Sequence, residues 1–267
     1  MKWQFGRRSA NVQDKRSLGP VAKGGGAGLL VMAGIVALLG GDPTAFLMEG
    51  LSRSFAPSYE SRYTEAQQTE MADFASVVLA DTEDHWANSF KDNHLGTYRN
   101  PTLVLFSGGI DSACGQASAA IGPFYCPLDE KLYLDLNFFY ELQARFGAPG
   151  DFAQAYVIAH EVGHHVQNIT GKLKETRSNE ESVATELQAD CYAGVWTKGA
   201  ESRYLLEVGD IDEAIGAASA VGDDRLQEQA QGYVVPDSFT HGSAAQRTEA
   251  FKRGYSTGDM AACDSGA

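Results

Sequence analysis

The chain has 267 residues, 43% of them hydrophobic, and carries 21 Lys/Arg against 35 Asp/Glu for a net charge of −14. That length and apolar content suffice for one domain with a substantial core. The acidic balance excludes nucleic acid as a partner, and the absence of any Cys-x-x-Cys pair among the four Cys argues against a cysteine-built zinc site.

Residues 1–23 hold six Lys/Arg against one acid, a net +5 that leaves −19 on the remainder. No charge occurs from Gly24 to Gly41, and Leu29–Met32 and Ile35–Leu39 are strongly apolar. A spanning helix needs about 20 residues, which Val21–Gly41 reaches if Lys23 extends to the interface. The long basic leader and the lack of an Ala-x-Ala-like site favour an uncleaved anchor over a cleaved signal peptide. The expected organisation is a basic cytoplasmic tail at 1–23, a transmembrane anchor at 24–41, a Pro/Gly/Ser-rich linker at 42–58 and one domain at 59–267. The positive-inside rule puts that domain on the periplasmic side of the bacterial inner membrane, attached by a single pass.

Within the domain, residues 60–92 read as a helix with Met71, Phe74, Val78 and Leu79 inward. Thr102–Phe106 and Lys131–Leu136 read as strands, and Asn137–Arg145 as a short helix. Asp151 is a good N-cap for an apolar helix that runs into His160-Glu161-Val162-Gly163-His164-His165. A further helix spans Ser182–Trp196, and others Asp212–Gln229 and Ser243–Arg253. The pattern is α+β, a small sheet beside a helical bundle.

His160, Glu161 and His164 form a His-Glu-x-x-His pattern. Four helical residues turn about 400° and rise about 6 Å, so both rings leave one face, a turn apart. One zinc ion accepts a nitrogen from each, and Glu161 is suited to take a proton from the attacking water. His165 points about 100° away and reads as a packing or surface histidine. Gly163 costs about 1 kcal/mol in mid-helix, which a close backbone approach or plain tolerance would explain. A third histidine six residues after His164 is ruled out by Thr170, which leaves an acid on a later helix. Glu186 and Asp190 lie one turn apart amid Ala184, Leu187 and Ala189, where an unpaired carboxylate is costly; the bland reading is two solvated charges. His241 is a candidate donor to a developing oxyanion, against a role as a loop-capping histidine. Arg247 could pair with a site or substrate carboxylate, although an ordinary surface arginine is the default. An edge strand that pairs with an extended substrate could be Leu103–Phe106 or Leu132–Leu136.

These stretches resemble the bacterial neutral zinc metallopeptidases, a gluzincin-like family with two His and one Glu on zinc. The likeness rests on Cys114-Gly115, Gly122–Pro127, Val157–Gln167, Glu186–Cys191, and His241–Ser243 with Gln246-Arg247, together with Asn11-Val12 and the apolar segment after it. It implies a zincin-like domain with His160, His164 and Glu186 on Zn2+, Glu161 as general base, and Asp190 holding one ligand histidine by its other ring nitrogen. The function expected is a membrane-anchored zinc metalloendopeptidase that hydrolyses peptide or protein substrates. The alternative is a non-catalytic, zinc-stabilised scaffold or chaperone-like binding protein. An even Cys count in an exported domain suggests disulfides; Cys114–Cys126 and Cys191–Cys263 are the favoured pairs, with buried free thiols as the alternative.

Overall fold

Short connections between strongly patterned segments set the architecture of the computed structural model, which describes residues 1–16, 61–173 and 178–264. Two small sheets and seven α-helices make an α+β fold among those residues. Strand β1 is Val12–Asp14, and helix α1 is Glu65–Asp92, started by a capping box in which Thr64 and Gln67 satisfy each other's backbone N–H groups. Strands β2 (Thr102–Phe106), β3 (Gly109–Ser112), β4 (Gly115–Ser118), β5 (Phe124–Cys126) and β6 (Lys131–Asp135) follow. The helices are then α2 (Asn137–Ala144), α3 (Asp151–Ile169), α4 (Asn179–Ser202), α5 (Asp210–Ala220), α6 (Asp223–Gln231) and α7 (Ala244–Thr257).

The main sheet has the order β1-β2-β6-β5, with β1 parallel to β2, β2 parallel to β6, and β5 antiparallel to β6. Strands β2 and β6 are therefore interior, with neighbours on both sides, and neither offers a free edge. The edge beside the motif helix is β5. Strands β3 and β4 form a separate hairpin, tied to β5 by the disulfide Cys114–Cys126. Cys191–Cys263 ties α4 to the C-terminal end. Both favoured pairings are present, and no cysteine is free.

One long helix expected over Asp212–Gln229 is two, α5 and α6, broken at Val221-Gly222. Asp223 causes the break: its N–H donates to the Gly242 carbonyl at 2.9 Å, and its carboxylate accepts from the Thr240, His241 and Gly242 N–H groups. Asp151 is not the N-cap of α3; Gly150 is, and Glu213 of α5 accepts the Phe152 N–H at 3.0 Å in its place.

The first sixteen residues are not a tail. Strand β1 pairs with β2, Val12 opposite Leu103. The buried Glu83 of α1 accepts from Ser9, Asn11 and Arg7, while Arg7 also pairs with Asp84 and Arg8 with Asp73. The Met1 ammonium sits among Asp151, Asp210 and Glu207, 2.6, 3.5 and 3.4 Å away. Arg7 and Arg8 are thus matched to acids of the domain, within the stretch expected as a basic tail at 1–23, of which residues 17–23 lie outside the described ones. Among the described residues no helix is long and apolar enough to cross a membrane. The expected anchor at 24–41 and linker at 42–58 lie outside them. Residues 1–16 share one sheet and one core with the other described residues.

Candidate metal centre

Helix α3 carries His160, Glu161 and His164 on the face turned to α4 and the cleft. Gly163 lets the two helices meet: a Cβ there would lie 2.9 Å from the Ala189 carbonyl oxygen and 3.1 Å from its Cα. Of the two explanations for that residue, close approach is the one observed. The crossing sets Glu186 of α4 opposite both imidazoles, with Oε2 3.1 Å from His160 Nε2 and Oε1 3.4 Å from His164 Nε2. One ligand atom from each of the three residues lies within 4.8 Å of the others. His160, His164 and Glu186 are therefore brought together, as the spacing predicts.

A ring of hydrogen bonds holds these side chains. Asp190, wholly buried one turn after Glu186, accepts from His160 Nδ1 at 2.8 Å and from the Tyr156 hydroxyl. Arg247 of α7 faces the same carboxylate with Nε and Nη2, and its Nη1 donates to the Val221 carbonyl. Gly194 of α4 and Gly254 of α7 cross with no room for a Cβ on either, which brings α7 close enough for this pair. On the other ring, His164 Nδ1 meets Gln167 Oε1 at 2.8 Å, and Gln167 Nε2 donates to the Thr185 carbonyl and Gln188. Both histidines have Nδ1 engaged and Nε2 directed at Glu186, the orientation that supports metal ligation.

The electrostatics follow from burial opposed by charge. Burial alone would push Glu186 up, but His164 and His160 outweigh it and hold its carboxyl well below the usual range. Burial likewise opposes ionisation of Asp190, yet Arg247 and His160 hold it down at about 2. Glu161 moves the other way: burial pushes its carboxyl up despite the two nearby imidazoles. Its Oε2 is buried with no hydrogen-bond partner. Two imidazoles, one ionised carboxylate and an adjacent orphaned carboxylate oxygen fit a zinc ion with a water-activating base.

His241 lines the same cleft but is half exposed, and its Nδ1 lies 3.0 Å from Thr240 Oγ1 and 3.3 Å from Asp223 Oδ1. It is placed on the rim and not among the ligands. His165 is wholly buried: Nε2 lies 2.6 Å from the Arg99 carbonyl oxygen and Nδ1 3.0 Å from the Tyr125 hydroxyl. It fastens α3 to β5, helped by Asn168, which donates to the same hydroxyl. Strand β5, with Phe124 and Tyr125 on the cleft, is an edge of the sheet, whereas the two strands expected to pair with a substrate are interior. Gln167 and Tyr156 escaped the sequence reading as parts of the site, whereas Arg247 pairs with a site carboxylate and is not the ordinary surface arginine of the default reading. Gln167 was accessible to the sequence reading, since i,i+3 on a helix shares a face with His164.

The cleft has a volume of about 1560 Å³ and runs from the ligands past β5 to α2 and α6, with Ile121, Phe124, Phe138, Phe146 and Leu226 among its apolar walls.

Residues 1–266 match the family model described as "Putative neutral zinc metallopeptidase". The chain is 44% identical to the uncharacterized protein YpfJ of Escherichia coli K12, over 99% of this chain and 98% of that one. It is 48% identical to the uncharacterized protein Rv2575 of Mycobacterium tuberculosis H37Rv, over 64% of each chain. No solved structure matches.

Proposed function

The chain belongs to the neutral zinc metallopeptidase family, and from that premise we propose that it hydrolyses peptide bonds at the His160–His164–Glu186 centre. The carrying observation is Glu161: a buried carboxylate with an orphaned Oε2, one residue from a cluster of three convergent ligand atoms. A site that only staples two helices has no use for it.

His160 Nε2, His164 Nε2 and the Glu186 carboxylate would hold the ion. Zinc bound there supplies Lewis acidity, which acidifies a water and polarises a carbonyl. Glu161 takes the proton of the attacking water at Oε2 and hands it to the leaving amine nitrogen. The raised affinity of Glu161 for a proton suits both halves of that transfer. Asp190 and Gln167 keep the Nδ1 atoms of the two ligand rings engaged, so neither ring can turn its Nε2 away. The free edge of β5 accepts the substrate backbone as an added strand, which lays an extended peptide along the cleft. His241, braced by Asp223 on the rim, donates to the oxygen on which negative charge develops. Two disulfides support a working place in an oxidising, extracytoplasmic compartment.

The test compares wild type with Glu161→Gln for zinc content and for casein or peptide hydrolysis. Zinc content is expected to be unchanged and hydrolysis to fall by about a hundredfold or more. Zinc present in both with equal hydrolysis removes Glu161 from the chemistry; zinc present with no hydrolysis in either points to the structural scaffold.

A further inference from the structure

Charge is distributed unevenly among the arginines of this acidic chain. Arg7, Arg8, Arg16, Arg99, Arg203 and Arg247 are each paired with an acid. Arg62, Arg145, Arg225 and Arg253 have no acidic partner among the described residues, and of these Arg62 and Arg145 are exposed along the cleft. They bracket α2, one at each end. Arg62 lies over the Tyr140 ring with its guanidinium carbon 5.7 Å from the centroid, and Arg145 over the Phe146 ring at 5.2 Å. A guanidinium resting on an aromatic face is held in place while its in-plane N–H groups stay free. Arg145 is further fixed by its backbone, whose carbonyl accepts from Gln229 Nε2 of α6 at 3.2 Å, a contact that joins the two walls at this end of the cleft. Glu141, one turn before Arg145, shares the wall without an ion pair to either guanidinium. Among the described residues no lysine lines the cleft.

From this we infer that the α2 wall is a carboxylate-selecting subsite, in which Arg62 and Arg145, one at each end of the helix, each offer a guanidinium to a carboxylate of the peptide whose backbone lies along the cleft. The inference rests on the peptide-hydrolysing reading for its substrate class. Each propped guanidinium fork is suited to a planar carboxylate bound through both its oxygens. Phe138 and Phe146 between and beside them give the neighbouring substrate residue an apolar surface. The carboxylate comes either from an Asp or Glu side chain or from the peptide's own C-terminus, and the chemistry of recognition is the same.

Fluorescence anisotropy of labelled peptides on purified, full-length Glu161→Gln protein tests this without needing turnover. Four peptides share one apolar sequence: an internal Glu or Gln, each ending as free acid or amide. We expect the favoured carboxylate form to bind about fivefold more tightly than its neutral counterpart at low salt, as one exposed ion pair allows. The Glu/Gln comparison and the acid/amide comparison tell which source is used. The preference should vanish in Arg62→Ala/Arg145→Ala, and Arg145→Glu should shift it toward a peptide with Lys in place of Glu. Both arginines are exposed, so thermal melts of the variants should match the parent. Equal binding of all four peptides, or a preference that survives the double substitution, overturns the subsite. The same peptides incubated with wild type separate the two readings: a binding preference without cleavage keeps the subsite and refutes the peptidase.

Discussion

Arg247 lies in plane against Asp190, Nε to Oδ2 at 2.8 Å and Nη2 to Oδ1 at 2.9 Å, with both side chains buried. A buried ion pair is a poor argument for stability in itself, because desolvating two charges offsets their attraction. Its consequence here is directional. With Arg247 in place the Asp190 carboxylate stays ionised and accepts from His160 Nδ1, so the ring presents Nε2 to Glu186 and to a metal.

Removing the arginine should expose that dependence. Arg247→Met leaves Asp190 buried without its counter-charge, a loss of about 3 kcal/mol in unfolding free energy. Zinc affinity should fall about 10- to 100-fold, as when other partners of metal-bound histidines are removed. Thermal melting and competition with a chelator measure the two separately. A lower melting temperature with unaltered zinc affinity would show that the pair serves the fold alone.

Gly163→Ala sets local propensity against packing. Alanine favours the helix by about 1 kcal/mol. Its Cβ, however, would meet backbone atoms of Ala189 at 2.9 and 3.1 Å, which a rotamer change cannot relieve. Packing should win, with a net destabilisation of about 1–3 kcal/mol. Glu186 would move away with α4, so zinc binding should weaken as well. A melt and a zinc titration give both numbers; a stabilised variant would mean that α3 and α4 separate freely.

The contrast between these two residues marks what was legible in the sequence. His160, Glu161, His164, Gly163 and Gln167 fall within one helical repeat, so periodicity alone puts them on related faces. Glu186 and Asp190 were found by their spacing and apolar surroundings, one helix later. Arg247 was a candidate without a named partner, because 57 residues separate it from Asp190 and only the α4–α7 crossing joins them. Strands β3, β4 and β5 are only 4, 4 and 3 residues long, too short for a pattern to stand out, so the strand beside the cleft was missed. At the N-terminus a basic cluster ahead of an apolar run reads as a topogenic signal, and the sequence alone does not show that Arg7 and Arg8 also answer acids 65–77 positions away on α1.

That last point can be checked in cells. The chain has no free cysteine, so single cysteines at Ala10 and Ser256, both exposed, report their sides cleanly. With strand β1 in the sheet, Ala10→Cys and Ser256→Cys should react alike with a membrane-impermeant maleimide, both labelled or both protected. Labelling of one alone would mean that residues 1–16 leave the sheet and lie across a membrane from the domain.

The two disulfides should differ in what they control. Cys191–Cys263 spans 72 positions, so loop-closure entropy assigns it about 4 kcal/mol. Cys114–Cys126 spans 12, for which the same relation gives about 3 kcal/mol. Position reverses that order for activity. Cys126 ends β5, the strand whose edge faces the cleft, and Cys114 holds the β3–β4 hairpin against it. Cys263 approaches α4 at Cys191, one residue beyond Asp190 and on the core side. Cys114→Ser/Cys126→Ser should therefore raise KM for an extended peptide while lowering the melting temperature less. Cys191→Ser/Cys263→Ser should lower the melting temperature more and leave KM near wild type in whatever fraction stays folded. Melts and steady-state kinetics on the two double variants decide it, and equal KM in both would detach the β5 edge from substrate binding.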